Sequence, residues 1–248
     1  MNYDFSAFSG HWPYRFLRGS GVSEQLTEYE QLGFSGGCMS SLDAIFYNDP
    51  WEADGPLLKA LDGTGWELAM CVNPVFPWAE LSIRRAYRLG VRYIRLYPGL
   101  HHYPIHSAVE VCKLAEELNM AVIITGRMED ERLCYLLDQH PVSVEDCIVL
   151  AAQFSNVPFL LSGFYLSELM TLTIPHNVWT DTSGFRHGMD PVHELTEGGF
   201  PLEKILFGSM SPLQCLHSNL LNLPGNGKND ILSINPKTFL EETNDRHK

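Results

Sequence analysis

Short apolar segments alternate with amphipathic segments along the chain. Segment 106–118 is typical of the amphipathic kind: Val109, Cys112 and Leu118 recur at helical spacing and form one apolar face. Glu110 falls on the opposite, polar face. The apolar segments predict eight strands, at 1–8, 34–40, 66–73, 91–97, 120–125, 158–162, 177–182 and 204–209. The amphipathic segments predict helices at 23–31, 53–62, 78–89, 106–118, 143–154, 164–172, 190–197 and 212–222, with one more after Pro236.

This alternation predicts an α/β fold. Near-continuous apolar strands that are separated by helices indicate a parallel sheet covered by helices. Eight such units in 248 residues favour closure into a (β/α)8 TIM barrel, because about 250 residues is the usual size of that fold. An open, flavodoxin-like sheet would normally have fewer strands. No linker divides the chain, so we expect a single barrel domain over 1–248.

Composition excludes two classes of partner. Hydrophobic residues make up 45% of the chain, enough for a substantial core. The 17 Lys and Arg residues against 30 Asp and Glu residues give a net charge of −13, which argues against a nucleic-acid partner because phosphate binding needs a basic surface. We expect no membrane association, since no apolar run approaches the roughly 20 residues of a membrane span. The sequence is compatible with a homodimer.

Cysteine usage bears on location. The chain has 6 cysteines but no C-x-x-C pair, and Cys71 lies in an apolar run. Buried, reduced thiols are therefore expected, as in a cytoplasmic protein. The first residues lack the basic region and apolar stretch of a signal peptide, which also predicts a cytoplasmic location.

Polar residues follow two of the predicted strands. In a parallel barrel the active site lies at the carboxyl ends of the strands. Alternation on the fourth strand places Tyr93, Arg95 and Tyr97 on one face, so Arg95 and Tyr97 are candidates for substrate binding. Arg95 could grip a carboxylate or phosphate bidentately. The alternative is that Arg95 pairs with a barrel carboxylate such as Asp181.

The fifth predicted strand runs into the charged segment 127–132. Arg127 is nearest the strand end and is a further candidate for substrate binding. Glu129 or Asp130 could act as a general base if burial raises its pKa, and Asp181 near the end of the seventh strand is another candidate. The alternative is that 127–132 forms the charged first turn of a surface helix with internal salt bridges.

Histidines cluster after the fourth strand. His101 is a candidate for substrate binding and His102 for catalysis, because loops that follow barrel strands build the active site. Together with His11 and His106 they could instead form a metal site, or belong to a solvated loop.

Several segments, in this order along the chain, resemble the amidohydrolase superfamily, in the branch called amidohydrolase 2. They are DFSAFSGHWPYR at 4–15, Asn73-Pro74, GVRYIRLYP at 90–98, NVWTDTSG at 177–184, ILFGS at 205–209 followed by Ser211-Pro212, and Ile234-Asn235-Pro236. The Gly-His-Trp-Pro-Tyr-Arg start, with Arg-Leu-Tyr-Pro and Arg-Met-Glu-Asp-Glu-Arg, resembles a bacterial subgroup of that branch. The resemblance implies a TIM-barrel hydrolase that normally holds zinc at the strand ends.

The residues at the family's metal-ligand positions depart from that pattern. The positions of the usual histidines and aspartate are occupied by Ser6, Phe8, Ile124, Ser162 and Met210. Zinc needs three or four N, O or S donors at fixed geometry, so we expect no metal cofactor at this position. The fold can be inherited without the metal chemistry, and function must then be argued from the site.

These observations predict an amidohydrolase-like barrel with a degenerate metal site, acting on a small anionic molecule. Hydrolysis, or a metal-free lyase or isomerase step with a carboxylate or histidine base, would suit it. The alternative is a catalytically silent binding or regulatory protein that keeps the pocket and has lost the chemistry.

Overall fold

The computed structural model describes residues 1–130, 132, 136–170, 172–185, 190–225 and 227–244. In this part of the chain, eight parallel strands pair in sequence order around a barrel. They are β1 (Asn2–Ser9), β2 (Phe34–Ser41), β3 (Trp66–Val72), β4 (Tyr93–Leu96), β5 (Ala121–Thr125), β6 (Phe159–Ser162), β7 (Val178–Asp181) and β8 (Ile205–Leu206). Each lies within or next to a predicted strand, which confirms the predicted (β/α)8 barrel.

The barrel closes between β1 and the segment that follows β8. Phe5 N donates to Phe207 O at 3.0 Å, and Met210 N donates to Ser6 O at 2.8 Å. β8 itself is shorter than predicted because the backbone of this segment leaves the regular ladder, and Ser209 N donates to the Asp4 side chain instead, at 3.2 Å. Burial raises the pKa of Asp4 to about 6.

The described helices cover the outside of the barrel. They are α1 (Val22–Gln31), α2 (Trp51–Leu61), α3 (Ala79–Arg88), α4 (Pro98–His101), α5 (Val109–Glu117), α6 (Val144–Gln153), α7 (Leu166–Leu169), α8 (Pro191–Glu197), α9 (Leu216–Leu221) and α10 (Asn235–Asn244). Each predicted helix has a counterpart, including the one near Pro236. α4 was not predicted, whereas α7 and α9 are shorter than predicted; Thr171, in the predicted 164–172 segment, lies outside the described residues.

Aromatic side chains fill the amino-terminal end of the barrel interior. Phe239 of α10 packs edge-on against Phe5 of β1 at 5.1 Å and contacts Trp179 of β7 at 5.2 Å between ring centroids. Tyr93 of β4 stacks near the same ring at 6.3 Å. With Leu160 these residues belong to one buried cluster, called the floor cluster below. α10 therefore completes the core at this end, and the opposite end, where the strands finish, is left to build a site.

The described helices are too short or too polar to cross a lipid bilayer.

Candidate active site

Four side chains from β1, β4, β6 and β7 form a polar layer inside the barrel: Ser6, Arg95, Ser162 and Asp181. Asp181, the last residue of β7, is 1% exposed. Its Oδ2 accepts a hydrogen bond from Ser6 Oγ at 2.6 Å, while its Oδ1 accepts from Ser183 N at 3.0 Å and from the Ser183 hydroxyl. Ser162 Oγ lies 2.6 Å from Ser6 Oγ. The carboxylate therefore accepts three hydrogen bonds, which fix its position in the polar layer.

Arg95 is fully buried, yet it uses only part of its hydrogen-bonding capacity. Its Nη2 donates to Phe5 O at 2.6 Å and approaches Ser6 Oγ at 3.4 Å. Its Nε and Nη1 have no hydrogen-bond partner among the described residues, which leaves three of the five guanidinium N–H groups unpaired. A buried unpaired donor costs about 1–3 kcal/mol, and more when it is charged. The arrangement is thus suited to receive acceptor atoms.

Apolar side chains close the barrel above this layer. Phe8, Trp12, Tyr97, Met128 and Met210 are each at most 1% exposed and pack into one group, called the mouth cluster below. The Phe8 ring lies 4.8 Å from the Arg95 guanidinium carbon. Trp12 Nε1 is buried and has no hydrogen-bond partner among the described residues. The cluster both shields the charge from water and brings a further N–H donor into the interior.

Two hydroxyl groups beside the mouth cluster also lack partners among the described residues: Tyr97 OH and Thr125 Oγ1. Ser40 lies next to the Tyr97 hydroxyl, but its Oγ donates to Ala69 O at 2.9 Å and no well-formed hydrogen bond joins the two hydroxyls. Burial raises the pKa of Tyr97 well above its usual value, so the phenol stays protonated and can donate. Leu96 pairs with Ile124, so Tyr97 and Thr125 follow side by side on neighbouring strands.

His101 presents an unpaired acceptor at the rim of the barrel. Its Nε2 lies 2.8 Å from Ile45 O, and because a carbonyl can only accept, this nitrogen carries the proton. Nδ1 is therefore a lone-pair acceptor, and it is buried with no partner among the described residues. Burial lowers the pKa of the imidazole, which favours this neutral form. The His101 ring lies edge-on to Tyr97, with 5.8 Å between ring centroids.

Arg127 directs its guanidinium toward α7. Its Nη1 and Nη2 donate to the two carboxylate oxygens of Glu168 at 2.6 and 2.7 Å, and Nη1 also donates to Gly163 O at 3.0 Å. The guanidinium carbon lies 3.7 Å from the ring centroid of Tyr165. Hydrogen bonds link Arg95 to Asp181 through Ser6, and Arg127 is anchored separately at the end of β5.

The two acidic candidates after Arg127 engage nearby arginines. Glu129 Oε1 accepts from Arg15 Nε at 2.6 Å. Asp130 accepts from Arg132 Nε at 2.9 Å and from Arg132 Nη2 at 2.5 Å. Both carboxylates are buried, at 6% and 3% exposure. Residues 127–130 do not form a helical turn, and Glu131 lies outside the described residues. The ion pair between Asp130 and Arg132 is internal to the segment, whereas Glu129 and Arg127 pair with residues outside it.

His102 faces away from the polar layer. Its ring contacts that of His140, with 3.3 Å between the two Nδ1 atoms, and its Nε2 lies 3.5 Å from Asp138. The structure thus places the two neighbouring histidines in different surroundings: His101 at the rim and His102 on the outer surface.

The residues at the family's metal-ligand positions offer poor donors for zinc. Ser6 and Ser162 hydrogen-bond each other, and the Phe8 ring lies against Arg95. Ile124 packs in the outer core between sheet and helices. Met210 contributes a thioether, whose sulfur lies 3.6 Å from Gln214 Nε2. Asp181 remains as a carboxylate, but a fixed guanidinium shares its surroundings, and this donor set does not fit a zinc ion.

Sequence reasoning missed the donor role of Trp12 and Thr125. Trp12 packs in the mouth cluster, and nothing in the local sequence shows that its N–H would lack an acceptor among the described residues. Ser6 and Ser162 were considered only as failed metal ligands, whereas they connect Arg95 with Asp181. Small polar residues within otherwise apolar strands are the signal that could have found them, because Ser6 and Ser162 lie inside the barrel near Arg95.

Neither a protein-family model nor a curated protein matches the chain. Several solved structures match it in fold. A protein from Staphylococcus aureus assigned to the amidohydrolases superposes with a TM-score of 0.70 at 11% identity, covering 96% of this chain and 99% of that one. The 4-oxalomesaconate hydratase of Rhodopseudomonas palustris gives 0.69 at 11% identity, covering 98% and 96%. Amidohydrolase 2 from Bifidobacterium longum subsp. infantis gives 0.61 at 16% identity, covering 96% and 98%.

The chain has the fold of the amidohydrolase-type TIM barrels. At these identities the similarity establishes the fold, and the chemistry has to be argued from the polar layer and the mouth cluster. In this barrel, the carboxyl ends of the strands carry a buried cation and donors that have no partner among the described residues.

Proposed function

We propose that this protein is a hydrolase-type enzyme that binds a small anionic molecule at the barrel mouth and works without a metal at the family's position. The observation that carries the proposal is the buried Arg95 guanidinium with its Nε and Nη1 unpaired. Evolution seldom retains buried charged donors without an acceptor, because each costs free energy in the folded protein. A carboxylate or phosphate supplies several acceptor oxygens at once.

Other donors around the mouth support an anion over a neutral ligand. Trp12 Nε1 can only donate, and the Tyr97 phenol and Thr125 hydroxyl can donate. Asp181 already accepts three hydrogen bonds from Ser6 and Ser183, and no direct hydrogen bond joins it to Arg95 among the described residues. The balance of free donors over free acceptors at the strand ends therefore favours a ligand rich in oxygen acceptors.

The mouth is closed by side chains, so a ligand would enter when some of these side chains move. Met128 and Met210 contribute unbranched, flexible side chains to the cluster above Arg95, and methionine repacks more readily than branched or aromatic residues. Binding would displace a thioether, not a strand, so the barrel itself would stay fixed. The bound anion would then be covered by apolar side chains, which strengthens its interaction with the guanidinium.

His101 is the residue we assign as general base. Its tautomer leaves Nδ1 as the accepting atom, and burial lowers the pKa so that the ring is neutral near pH 7. In a hydrolysis this nitrogen would take a proton from the attacking water, and in a lyase step it would take one from carbon. Asp181 serves as a positioning residue, since its oxygens are held by three donors. Glu129, Asp130 and His102 remain sequence-based candidates.

The experiment compares binding of matched ligands to matched variants. Wild type should gain more thermal stability from acetate than from acetamide at equal ionic strength, because only acetate carries a charge. Arg95→Met keeps much of the bulk and removes the donors, so this preference should disappear. Arg92→Met is the control, since Arg92 lies before β4 and donates to the carbonyls of Tyr87 and Val91. If Arg95→Met keeps the full preference, Arg95 is structural and the proposal fails.

A second function is supported by the three hydrogen bonds that hold Asp181 and by the closure of the mouth: a binding or regulatory protein that has lost catalysis. The two are separated by a hydrolysis screen with small carboxylate-bearing amides and esters. Turnover that falls at least 100-fold in His101→Gln, with the acetate effect intact, supports the enzyme. Anion binding without turnover of any substrate in the screen supports the silent binder.

Elemental analysis tests whether the protein binds zinc at the family's metal position. The purified protein should hold no zinc that depends on Ser6, Ser162 or Asp181. One equivalent of tightly bound zinc that is lost in Asp181→Asn would contradict the metal-free part of the proposal.

A further inference from the structure

Three metal-ligating side chains meet on the outer surface of the barrel, beyond the end of α4. His102, Asp138 and His140 each offer one ligand atom, and these atoms lie within 4.8 Å of one another. The His102 and His140 Nδ1 atoms are 3.3 Å apart, a separation comparable to that of two ligands that share one zinc at about 2 Å. Asp138 lies beside the other nitrogen of each ring, with 3.5 Å from each Nε2 to a carboxylate oxygen. Because one ion takes one nitrogen from each ring, these contacts show that the three groups are close together and are not themselves one set of ligand distances.

The backbone holds these two segments together independently of their side chains. His140 N donates to Gly99 O at 2.9 Å, which fixes the loop after β5 against α4. A Cβ on Gly99 would lie 2.5 Å from His140 O, so only glycine allows this approach. His102 closes α4 in the left-handed conformation, with φ of 53°, which turns its ring away from the helix. The pair of histidines is therefore preorganised by the fold.

A cavity of about 370 Å³ opens beside the cluster. Its lining includes His102 and His140, and also His106, Ser143 and Asp146. A metal held by three protein ligands keeps coordination positions for water or a small molecule. The cavity supplies the space that such positions need, and it is polar on the side of the histidines.

We propose that His102, Asp138 and His140 form a binding site for a zinc-type divalent cation, separate from the polar layer. Two imidazole nitrogens and one carboxylate oxygen are a common three-ligand set for zinc, with the fourth position open. The net charge of −13 favours cation binding at the surface. Without a metal, the side-chain contacts among these exposed groups contribute little stability of their own. This proposal does not depend on the proposed function of the barrel mouth.

The test uses the full chain without an affinity tag, stripped with EDTA and dialysed. Zinc chloride is titrated by calorimetry, and cobalt(II) is titrated by visible absorption, since bound cobalt reports tetrahedral nitrogen and oxygen ligation. Three variants each remove one ligand: His102→Asn, Asp138→Asn and His140→Gln. Asparagine is chosen at 102 because it tolerates the left-handed backbone. His106→Gln is the matched control, because His106 lines the cavity but stands outside the cluster.

We expect one equivalent of zinc in wild type, at least tenfold weaker binding in each ligand variant, and binding within about twofold of wild type in His106→Gln. Arg95→Met should bind zinc as wild type does, so a failure of the barrel-mouth proposal would leave this result unchanged. The proposal is overturned if wild type binds no zinc, or if all three ligand variants bind it as tightly as wild type. A cobalt spectrum that persists in His140→Gln would overturn it as well.

Discussion

The two ends of the barrel interior are built from the same strands but in opposite ways. At the floor, Phe239 packs against Phe5 and Trp179, and the polar tips of this end find partners: Trp179 Nε1 donates to Glu242 at 3.0 Å. At the mouth, Arg95 and Trp12 are equally buried, but each keeps N–H groups that have no partner in the described part of the chain. Two positions along β4 separate the satisfied Tyr93 from the unsatisfied Arg95. The comparison shows that the floor is a fully packed and hydrogen-bonded core, whereas the mouth buries donors that the described residues do not satisfy.

A substitution in the floor cluster should lower the free energy of unfolding more than a substitution at the mouth. Phe239→Ala removes the ring that three others contact, and we expect a loss of about 3–5 kcal/mol in the free energy of unfolding, as for other buried phenylalanines. Urea unfolding measures it. Phe16→Ala is the control, because Phe16 is 86% exposed and should change stability by less than about 0.5 kcal/mol. A loss below about 1 kcal/mol for Phe239→Ala would mean that the floor is not finished as a core.

The substitution Asp4→Asn tests whether ionisation of a buried, hydrogen-bonded carboxyl group lowers the free energy of unfolding. The pKa of Asp4 is about 6 in the folded protein, above the value of 3.8 expected when unfolded, because burial outweighs its hydrogen bonds. The neutral acid is therefore favoured in the folded state. The stability it provides is present below about pH 4 and is lost as the pH rises through 6. Relative to Asp4→Asn, wild type should lose up to about 3 kcal/mol between pH 4 and 7.5.

The measurement is urea unfolding of both proteins at several pH values. Other buried acids contribute to the pH dependence of both proteins, so the difference between the two curves isolates Asp4. Parallel curves for wild type and Asp4→Asn would show that the carboxyl ionises in the fold without cost.

The polar layer should respond as a coupled unit. Asp181→Asn removes the charge that faces Arg95 across Ser6, and we expect a loss of about 2 kcal/mol, because a buried cation is left with less compensation. Arg95→Met should cost less than Asp181→Asn, because it removes unpaired donors along with the charge. In the double variant the loss should be smaller than in Asp181→Asn alone, with a coupling of about 1–3 kcal/mol. Additive effects would show that the two groups do not sense each other.

Sequence patterns were sufficient for the barrel and for the inward face of β4. The two-residue alternation placed Tyr93, Arg95 and Tyr97 on one face, and the structure shows that this face points into the barrel. α4 escaped prediction because four residues after a proline are too few to show helical periodicity. β8 was overestimated because closure against β1 is a long-range event that local hydrophobicity does not encode.

The site could be predicted only as a set of candidates. Periodicity identifies which strand ends are polar, but it does not say which partner each charge will find. Arg127 is bound to Glu168, 41 positions away, and His102 meets His140, 38 positions away, across loops that no repeating pattern describes. An unpaired donor is still harder to predict from sequence, because it depends on where all the surrounding acceptor atoms lie in the folded protein. Such features emerge only when the whole barrel is assembled.

The position of Phe239 has a consequence for how the chain is made. Its ring lies against Phe5, which the ribosome adds more than 200 residues earlier, so the aromatic floor stays uncovered through most of synthesis. A nascent chain that already contains all eight strands would still expose Phe5, Tyr93 and Trp179 until α10 docks among them. Ribosome-bound chains halted before residue 235 should therefore be digested readily by protease, and resistance should appear only after α10 has emerged. Until that helix emerges, the growing barrel would be a target for chaperones that recognise aromatic surfaces.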